Sequence, residues 1–197
     1  MMRIILASGS KQRRDVLDLI GLKYEVIKSN AEEECSEKEP GKYVEQLSIV
    51  KAKSVAEELK ENAIIIAADT IIYFNGKVYE KPKTKKEAFD NLKELSGKMN
   101  SAYTGITIID LYQNKTISFS SKVDVYFRNI SDKDIEWYVN NESRILDCCG
   151  YVVLGKASLF VDKVDGDYNT LFGISPSILY ENLKKLGYSI SDFELQD

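Results

Sequence analysis

The ten residues from Ile64 to Tyr73 constrain the fold more than any other part of the chain, because eight of them are apolar or aromatic. A helix that crosses a membrane needs about 20 such residues in succession, so this run is too short for one and is typical of a buried strand. Asn75-Gly76, which follows, is a strong signal for a two-residue hairpin turn. The run therefore predicts a central buried strand that turns back on itself.

Helical and extended patterns alternate along the rest of the chain. Helices are predicted over residues 11–20, 40–61, 84–95, 131–141 and 175–186, and further strands over residues 3–8, 23–29, 77–82, 101–112, 116–128 and 158–168. This alternation, together with a hairpin, predicts a mixed α/β fold in which helices flank a mixed sheet. The 197 residues contain no repeat or linker, so we expect a single domain over residues 1–197, with room for a smaller lobe at about residues 100–150.

The sequence contains no histidine. Catalysis by Ser-His-Asp or Cys-His arrangements is therefore excluded, and so are zinc sites built on histidine. Acid–base chemistry must fall to Asp, Glu, Lys, Tyr or Cys. A metal held by side chains would be held mainly by carboxylates, which favours Mg²⁺ or Mn²⁺.

The charge and cysteine content narrow the class of partner. The net charge of −4 and pI of about 5.2 are unlike the basic surplus of nucleic-acid-binding proteins, so we expect no nucleic-acid partner. The N-terminal apolar run is too short for a signal peptide, and no segment suits a membrane span. Cys35, Cys148 and Cys149 do not form a disulfide pattern, and we expect a cytoplasmic protein.

Asp69 is the one carboxylate inside the apolar run. Burial of an unpaired carboxylate is costly, so the protein must pair it, hydrate it or use it. A cleft beside the strand would allow all three. The alternative is a structural aspartate at a bulge that binds backbone amides and has no chemical role. Because ionised residues are rarely buried without a partner, we favour a functional site at Asp69.

The segment SGSKQRR, residues 8–14, lies between the first strand and the first helix. Such a junction points backbone N–H groups and a helix N-terminus at one place, which suits a phosphate. Ser8 and Ser10 add hydroxyl donors, and Arg13 and Arg14 add guanidinium groups. The spacing is not that of a Walker A loop. The alternative is that Ser10 only caps the helix while the arginines are solvated, and the sequence does not separate the two.

Two lysines occupy positions that are unusual for a solvated charge. Lys51 lies on the apolar stripe of the helix predicted over 40–61, and Lys81 follows the hairpin whose first strand carries Asp69. Both could reach one site, although either could instead extend to solvent. The acidic run Glu32–Glu34 adds a candidate metal ligand, with a solvated loop as its alternative.

Together these residues describe a base, an anion cradle, two lysines and a spare carboxylate, which suits phosphoryl or nucleotidyl chemistry assisted by Mg²⁺.

The chain also carries short motifs in a fixed order: LASGSKQRRDVL, SNAEEE, YVEQLSIVKAKSVA, AADT, NGKVYEKPKTKKEA, LSGKMNSAYTG, FRNISDKDIEWYV and GDYNTLFGI. In this order they resemble the Maf family of nucleoside triphosphate pyrophosphatases over nearly the whole chain. Its S-x-S-x-x-R, A-D-T and K-P motifs are matched by Ser8, Ser10 and Arg13, by Ala68, Asp69 and Thr70, and by Lys81 and Pro82.

The resemblance implies an elongated mixed α/β fold similar to that of the inosine triphosphate pyrophosphatases, with two lobes around a deep cleft. It implies hydrolysis of a nucleoside triphosphate, here a non-standard or modified one, to the monophosphate and pyrophosphate with Mg²⁺ or Mn²⁺. Asp69 would accept the proton and, with Glu33, hold the metal. The residues that position the phosphate chain would be Ser8, Ser10, Arg13, Arg14, Lys51 and Lys81. A homodimer is expected on the resemblance alone.

Base selection in the family is tuned at positions that correspond to Gln12, Thr70 and Leu154. Most relatives that act on pyrimidines have three basic residues after S-x-S-P, the first of which is Gln12 here, and a glutamine where this chain has Leu154. The family's usual histidine after S-G-x is Asn100. The segment LDCCGY is closer to the branch that acts on 7-methyl-GTP, but that branch has an aromatic residue at position 12 and a glutamate near 154. The chain fits neither pattern, so the resemblance predicts activity more firmly than it predicts the base.

Two other classes of function stay open on the sequence. One is a non-catalytic nucleotide-binding regulatory protein of the same fold, which the altered positions Gln12 and Leu154 favour and the intact Asp69, Lys51 and Lys81 disfavour. The other is a nucleic-acid-binding module, which predicts a salt-dependent affinity for DNA or RNA.

Overall fold

A computed structural model of the chain describes residues 2–32, 34–148, 150–153 and 155–195. Within these ranges lie seven strands and five α-helices: β1 Ile4–Leu6, α1 Lys11–Leu19, β2 Glu25–Val26, α2 Pro40–Glu58, β3 Ile64–Phe74, β4 Lys77–Tyr79, α3 Lys85–Leu95, β5 Met99–Asp110, β6 Lys115–Phe127, α4 Asp132–Asn141, β7 Val161–Gly166 and α5 Pro176–Lys185. Short 3-10 helices cover Lys156–Phe160, Tyr168–Phe172 and Ile190–Asp192. The predicted mixed α/β class is confirmed.

The seven strands form one mixed sheet. Six of them lie in the order β2-β1-β3-β5-β6-β7, and β4 pairs with β3. β1 runs parallel to β2 and to β3, so that Leu6 lies opposite both Val26 and Ile66. β4 is antiparallel to β3 across the predicted turn, where Asn75 and Gly76 have φ angles of 50° and 81°, as a two-residue hairpin of this kind requires. β7 is antiparallel to β6.

The chain divides into two compact units, and β3, β5 and β6 contribute residues to both. The first unit consists of Met1–Asp69, Thr104–Ser121 and Phe172–Asp197, and the second of Thr70–Tyr103 and Lys122–Leu171. The smaller lobe expected at residues 100–150 would draw on both units, and the single-domain interpretation stays a prediction.

Helices cover both faces of the sheet in the first unit. On one face Ile66 of β3 packs in a buried cluster with Leu17 of α1 and Leu179 of α5. On the other face Ile65 packs in a second cluster with Val55 of α2. β3 is therefore buried on both sides here, as its nearly continuous apolar sequence predicts.

The second unit has one large apolar core. Buried side chains from α3, α4, β5, β6 and the segment after α4 meet in it, including Leu92, Tyr138, Val125 and Tyr151. The Tyr151 hydroxyl donates to Asn100 Oδ1 at 2.7 Å, and Asn100 Nδ2 donates to the Val125 carbonyl at 3.3 Å. Asn100 is therefore a buried and satisfied polar group.

α2 approaches β5 closely in the first unit. A Cβ atom on Gly105 would lie 2.2 Å from the carbonyl carbon and oxygen of Val44, so only glycine permits this contact. The Ser48 hydroxyl lies 2.7 Å from that of Thr107 and joins the two elements further along the helix. These contacts hold α2 against the sheet. They therefore also fix the position of Lys51, which lies on the face of α2 that is turned toward the sheet.

The helix boundaries follow the capping signals of the sequence. Thr84, Ser131 and Ser175 each accept a hydrogen bond from the backbone N–H of the third residue of α3, α4 and α5, respectively. Pro176 occupies the first turn of α5, where its missing N–H costs nothing. None of the helices in the described ranges is long and apolar enough to span a membrane.

Several predicted boundaries are wrong; the strand predicted over 77–82, for example, ends at Tyr79. Three of the differences have a local reason. The strand predicted over 23–29 is only Glu25–Val26, because β1 ends at Leu6 and offers no longer partner. The strand predicted over 158–168 begins at Val161, and the residues before it form a 3-10 helix. α2 ends at Glu58 because Leu59 has an extended backbone.

Candidate active site

The turn after β1 brings together the serine and arginine side chains of the S-x-S-x-x-R motif. Arg13 Nη1 donates to Ser8 Oγ at 2.9 Å, and the Ser10 N–H donates to the same oxygen at 3.2 Å. Ser8 is buried, and with both interactions accepted its hydroxyl still has a proton to donate. The turn is thus a compact group of donors around one buried serine.

Ser10 does not cap α1. It occupies the N-cap position with an extended backbone, but its side chain accepts no hydrogen bond from the helix. The interpretation of Ser10 as a simple helix cap is therefore wrong. The first turn of α1 is without a side-chain cap, which is the arrangement that suits an external anion.

Asp69 is paired with Lys51. Lys51 Nζ lies 2.5 Å from Asp69 Oδ1. The side chains retain 13% and 12% of their exposure, so the pair is largely buried and still reached by solvent. The interpretation of Asp69 as a bulge aspartate held only by backbone amides is wrong, and so is that of Lys51 as a lysine extended to solvent.

The position of Lys51 follows from its place on α2. Leu47 and Val55, one turn before and after it, are buried against the sheet, so the residue between them also faces inward. A lysine there needs a partner, and Asp69 on β3 supplies it. The apolar stripe and the charged pair are thus parts of one helix–strand contact.

The serine–arginine turn and the Lys51–Asp69 pair lie at the same end of the parallel strands. The Ala7 N–H donates to the Ile66 carbonyl at 2.8 Å, so the chain leaves β1 at Ser8 beside the part of β3 that continues to Asp69. In open α/β sheets, ligands bind outside the carboxyl ends of parallel strands. The first unit therefore places a turn whose donors suit an anion, and a paired carboxylate, where this rule expects a site.

The remaining predicted site residues are placed as follows. Gln12 and Arg14 are half-buried on α1, next to Arg13. Thr70 and Lys81 belong to the second unit, where Thr70 is half-buried on β3 and Lys81 is exposed after β4. Glu33 and Leu154 lie outside the described residues.

The donor set can be tested against the divalent cation that the resemblance implies. Among the described residues no three His, Cys, Asp or Glu side chains lie close enough together to hold a metal ion. A Mg²⁺ site that is completed by substrate phosphates needs only one or two carboxylates. Asp69 is such a carboxylate, partly exposed and at the same end of the parallel strands as the candidate phosphate site. The residues thus fit a cation shared with substrate and not one held by protein alone.

A second buried acid in the first unit, Asp110, was not singled out from the sequence. It is fully buried at the end of β5. Its Oδ1 accepts from the N–H groups of Tyr112 and Gln113, and its Oδ2 accepts from the Tyr188 hydroxyl at 2.7 Å. Asp110 therefore has the structural role that Asp69 does not have, and the signal for it was its place just before a turn.

Comparison with known proteins agrees with the motifs. The family model described as Maf-like protein matches residues 3–186. A protein of Thermoanaerobacter sp. (strain X514) named dTTP/UTP pyrophosphatase is 42% identical over 184 residues, which cover 93% of this chain and 96% of that protein. A Clostridium tetani protein of the same name is 39% identical, covering 96% of this chain and all of that protein. One from Thermosipho africanus is 38% identical, covering 92% of each.

Solved structures also match in part. The Staphylococcus aureus Ham1 protein gives a TM-score of 0.45 at 17% identity and covers 64% of this chain and 71% of that one. A HAM1 protein from Coxiella burnetii gives 0.46 at 16% identity, covering 64% and 73%. The family model and the relatives at 38 to 42% identity carry the assignment. The chain belongs to the Maf family.

Proposed function

We propose that this protein is a nucleoside triphosphate pyrophosphatase, a hydrolase acting on acid anhydrides that converts a nucleoside triphosphate to the monophosphate and pyrophosphate. The observation that carries the proposal is the solvent-reached Lys51–Asp69 pair at the strand end where the Ser8–Arg13 turn begins. The names of the family relatives, dTTP/UTP pyrophosphatase, support the same reaction class.

Asp69 is the general base in this proposal. It takes a proton from a water molecule as the water oxygen attacks the α-phosphorus. The bond between the α-phosphorus and the oxygen that bridges to the β-phosphorus breaks, and pyrophosphate leaves with the electron pair. Lys51, held against Asp69 Oδ1, fixes the orientation of the carboxylate during the attack.

The turn after β1 binds the phosphate chain. Arg13 presents a guanidinium group that Ser8 holds in place, and Ser8, Ser10 and the first turn of α1 supply hydroxyl and N–H donors. Arg14 and Lys81 are proposed to add charge. These groups stabilise the negative charge that moves toward the leaving pyrophosphate.

A divalent cation, Mg²⁺ or Mn²⁺, would be held by Asp69 and Glu33 together with phosphate oxygens. When bound it would offset charge on those oxygens. The described residues supply the base, the anion-binding turn and the orienting lysine independently of it.

For the substrate, we propose a non-standard or modified nucleotide. Gln12, Thr70 and Leu154 are the residues proposed to select its nucleobase. A leucine at position 154 replaces a polar group that would read a base edge, and a site without such a group discriminates less strongly between bases. The names of the relatives point instead to dTTP and UTP. These two assignments differ in which nucleotide has the highest kcat/KM.

Pyrophosphate release from a panel of nucleotides tests the proposal. The panel holds dTTP, UTP, the other standard triphosphates and modified ones such as 7-methyl-GTP, each with Mg²⁺ or Mn²⁺. Turnover of at least one nucleotide, with the monophosphate as the second product, is expected. If none is turned over while one raises the melting temperature, the protein is a non-catalytic nucleotide-binding protein, and the proposal is wrong.

A further inference from the structure

Lys28 lies next to the serine–arginine turn although no motif includes it. β2 runs parallel to β1 with Leu6 opposite Val26, and the Ile27 N–H donates to the Leu6 carbonyl at 3.2 Å. Ser8 comes two residues after Leu6, and Lys28 comes two residues after Val26. The parallel register therefore delivers Lys28 to the same strand ends as the candidate phosphate site.

The stem of Lys28 packs directly on Gly9, between the two serines of the turn. A Cβ atom on Gly9 would lie 2.7 Å from Lys28 Cε and 3.2 Å from Cδ. Glycine at this position therefore leaves the space that the lysine chain occupies. Gly9 is exposed, so this contact spreads the lysine across the solvent side of the turn.

The ammonium group of Lys28 is not used by the fold. Lys28 is exposed, and among the described residues it has no hydrogen-bond or ion-pair partner, whereas Lys11 and Lys23 nearby are paired with Asp15 and Glu194. A lysine whose stem is held in place by packing and whose ammonium group is unpaired is suited to bind an anionic ligand.

We propose that Lys28 is a phosphate-positioning residue that binds the polyphosphate chain of the substrate at the Ser8–Gly9–Ser10 turn. This inference rests on the proposed function for its substrate, but the anion site can be tested apart from turnover. Lys28 would act on substrate binding and not on proton transfer, because the base is Asp69.

The first test replaces Lys28 by methionine, which keeps an unbranched apolar stem and removes the charge. Binding of inorganic tripolyphosphate and of pyrophosphate is measured by calorimetry at low and high salt, with Lys53→Met as the control, because Lys53 is an exposed lysine on α2. We expect Lys28→Met to raise the dissociation constants about 3- to 10-fold at low salt and less at high salt, and Lys53→Met to leave them unchanged. Lys28→Arg should restore most of the affinity.

Kinetics with the best nucleotide distinguish positioning from a structural effect. Lys28→Met should raise KM by a similar factor with kcat within about twofold of the wild type. Equal losses for Lys28→Met and Lys53→Met, or a fall in kcat alone, would overturn the proposal. A wild-type protein that binds neither tripolyphosphate nor pyrophosphate would overturn it as well.

A double-mutant cycle tests the contact with Gly9. Gly9→Ala should displace the lysine stem and weaken tripolyphosphate binding in the wild type, but should have little further effect in the Lys28→Met background. Additive losses would mean that Gly9 acts without Lys28. If nucleotides are not hydrolysed but these binding results hold, the proposed function fails and the anion site at Lys28 stands.

Discussion

Lys51 Nζ on α2 lies 2.5 Å from Asp69 Oδ1 on β3, and both side chains are nearly nine-tenths buried. A buried charge pair of this kind is weak as a source of stability, because desolvation offsets most of the attraction. It does hold a carboxylate in one place at the end of a strand. The pair therefore fits the proposed role of Asp69 as the general base.

Asp69→Asn should abolish turnover and leave nucleotide binding intact. The amide keeps the shape of the side chain but cannot accept a proton, so kcat should fall by at least about a hundredfold. Pyrophosphate release gives kcat, and calorimetry with a nucleotide gives the affinity. Asp162→Asn, which removes a surface ion pair with Arg128, serves as the control and should retain activity. Wild-type-like rates in Asp69→Asn would mean that another residue is the base.

Lys51→Met should destabilise the protein because it leaves the Asp69 carboxylate buried without its cation. We expect a loss of about 2 to 4 kcal/mol in the free energy of unfolding, measured by urea denaturation. The double variant Lys51→Met with Asp69→Asn should regain much of that stability while remaining inactive. If the double variant is as unstable as the sum of the single ones, the two side chains are not coupled.

Arg13→Ala should weaken nucleotide binding about 10- to 100-fold, because it removes a charge-assisted contact with phosphate. The loss should be the same for every nucleobase, since Ser8 holds Arg13 at the turn that is proposed to bind phosphate. Arg13→Lys should recover only part of it, because an ammonium group lacks the forked donors. Dissociation constants for a purine and a pyrimidine triphosphate measure this, and unequal losses would show that Arg13 reads the base.

Gly105→Ala should destabilise the first unit strongly. The new methyl group would meet the backbone of Val44 at 2.2 Å, and backbone cannot move aside as a flexible side chain can. We expect a loss of about 3 kcal/mol or more in the free energy of unfolding. Gly76→Ala is the control, because nothing lies within 4 Å of a Cβ there and only its φ of 81° opposes the change. A smaller loss at Gly105 than at Gly76 would mean that α2 moves away from β5 at little cost.

Glu39 should make the stability of α2 depend on pH. Its carboxylate accepts hydrogen bonds from the N–H groups of Lys42 and Gly41, and these lower the pKa of Glu39 from its ordinary value of 4.5. A lowered pKa means that the contribution is present above about pH 4.5 and is lost as the pH falls through the folded-state pKa. Glu39→Gln should therefore cost about 0.5 to 1 kcal/mol at neutral pH and nothing at strongly acid pH, as thermal unfolding would report.

Glu37→Gln is the matched control for the change in charge, because Glu37 is an exposed neighbour outside the helix. A pH profile in which Glu39→Gln stays less stable than the wild type even in acid would contradict an ionised cap.

Local signals in the sequence predicted most of the secondary structure. The Asn75-Gly76 turn is where the pattern predicted it, and the helices predicted to begin at residues 84, 131 and 175 are capped at those residues, because each signal depends on a few neighbouring residues. The apolar run of β3 predicted that this strand is buried, and it made the acid within the strand, Asp69, stand out. Such signals are reliable because backbone conformation and helix periodicity are set within one or two turns of chain.

The order of the strands and the partners in the site could not be predicted in this way. That β3 lies between β1 and β5, and that Lys28 rests on Gly9, depend on pairing between segments far apart in sequence. The sequence left open whether Ser10 caps α1 in the way that Ser131 caps α4. Only the structure distinguishes the two serines, because the Ser131 side chain accepts a hydrogen bond from its helix and the Ser10 side chain does not.

In the proposed mechanism, the uncapped first turn of α1 couples the local folding of the helix to occupancy of the phosphate site. A capping side chain stabilises a helix by about 1 kcal/mol. The Ser10 side chain does not make this interaction with α1, so a bound ligand would supply it. An arriving triphosphate would complete the helix as it binds, and the loss of pyrophosphate would loosen the same turn again. The end of the helix would then bind the remaining monophosphate less tightly once pyrophosphate has left. Turnover would therefore end in release of both products and not in a trapped complex.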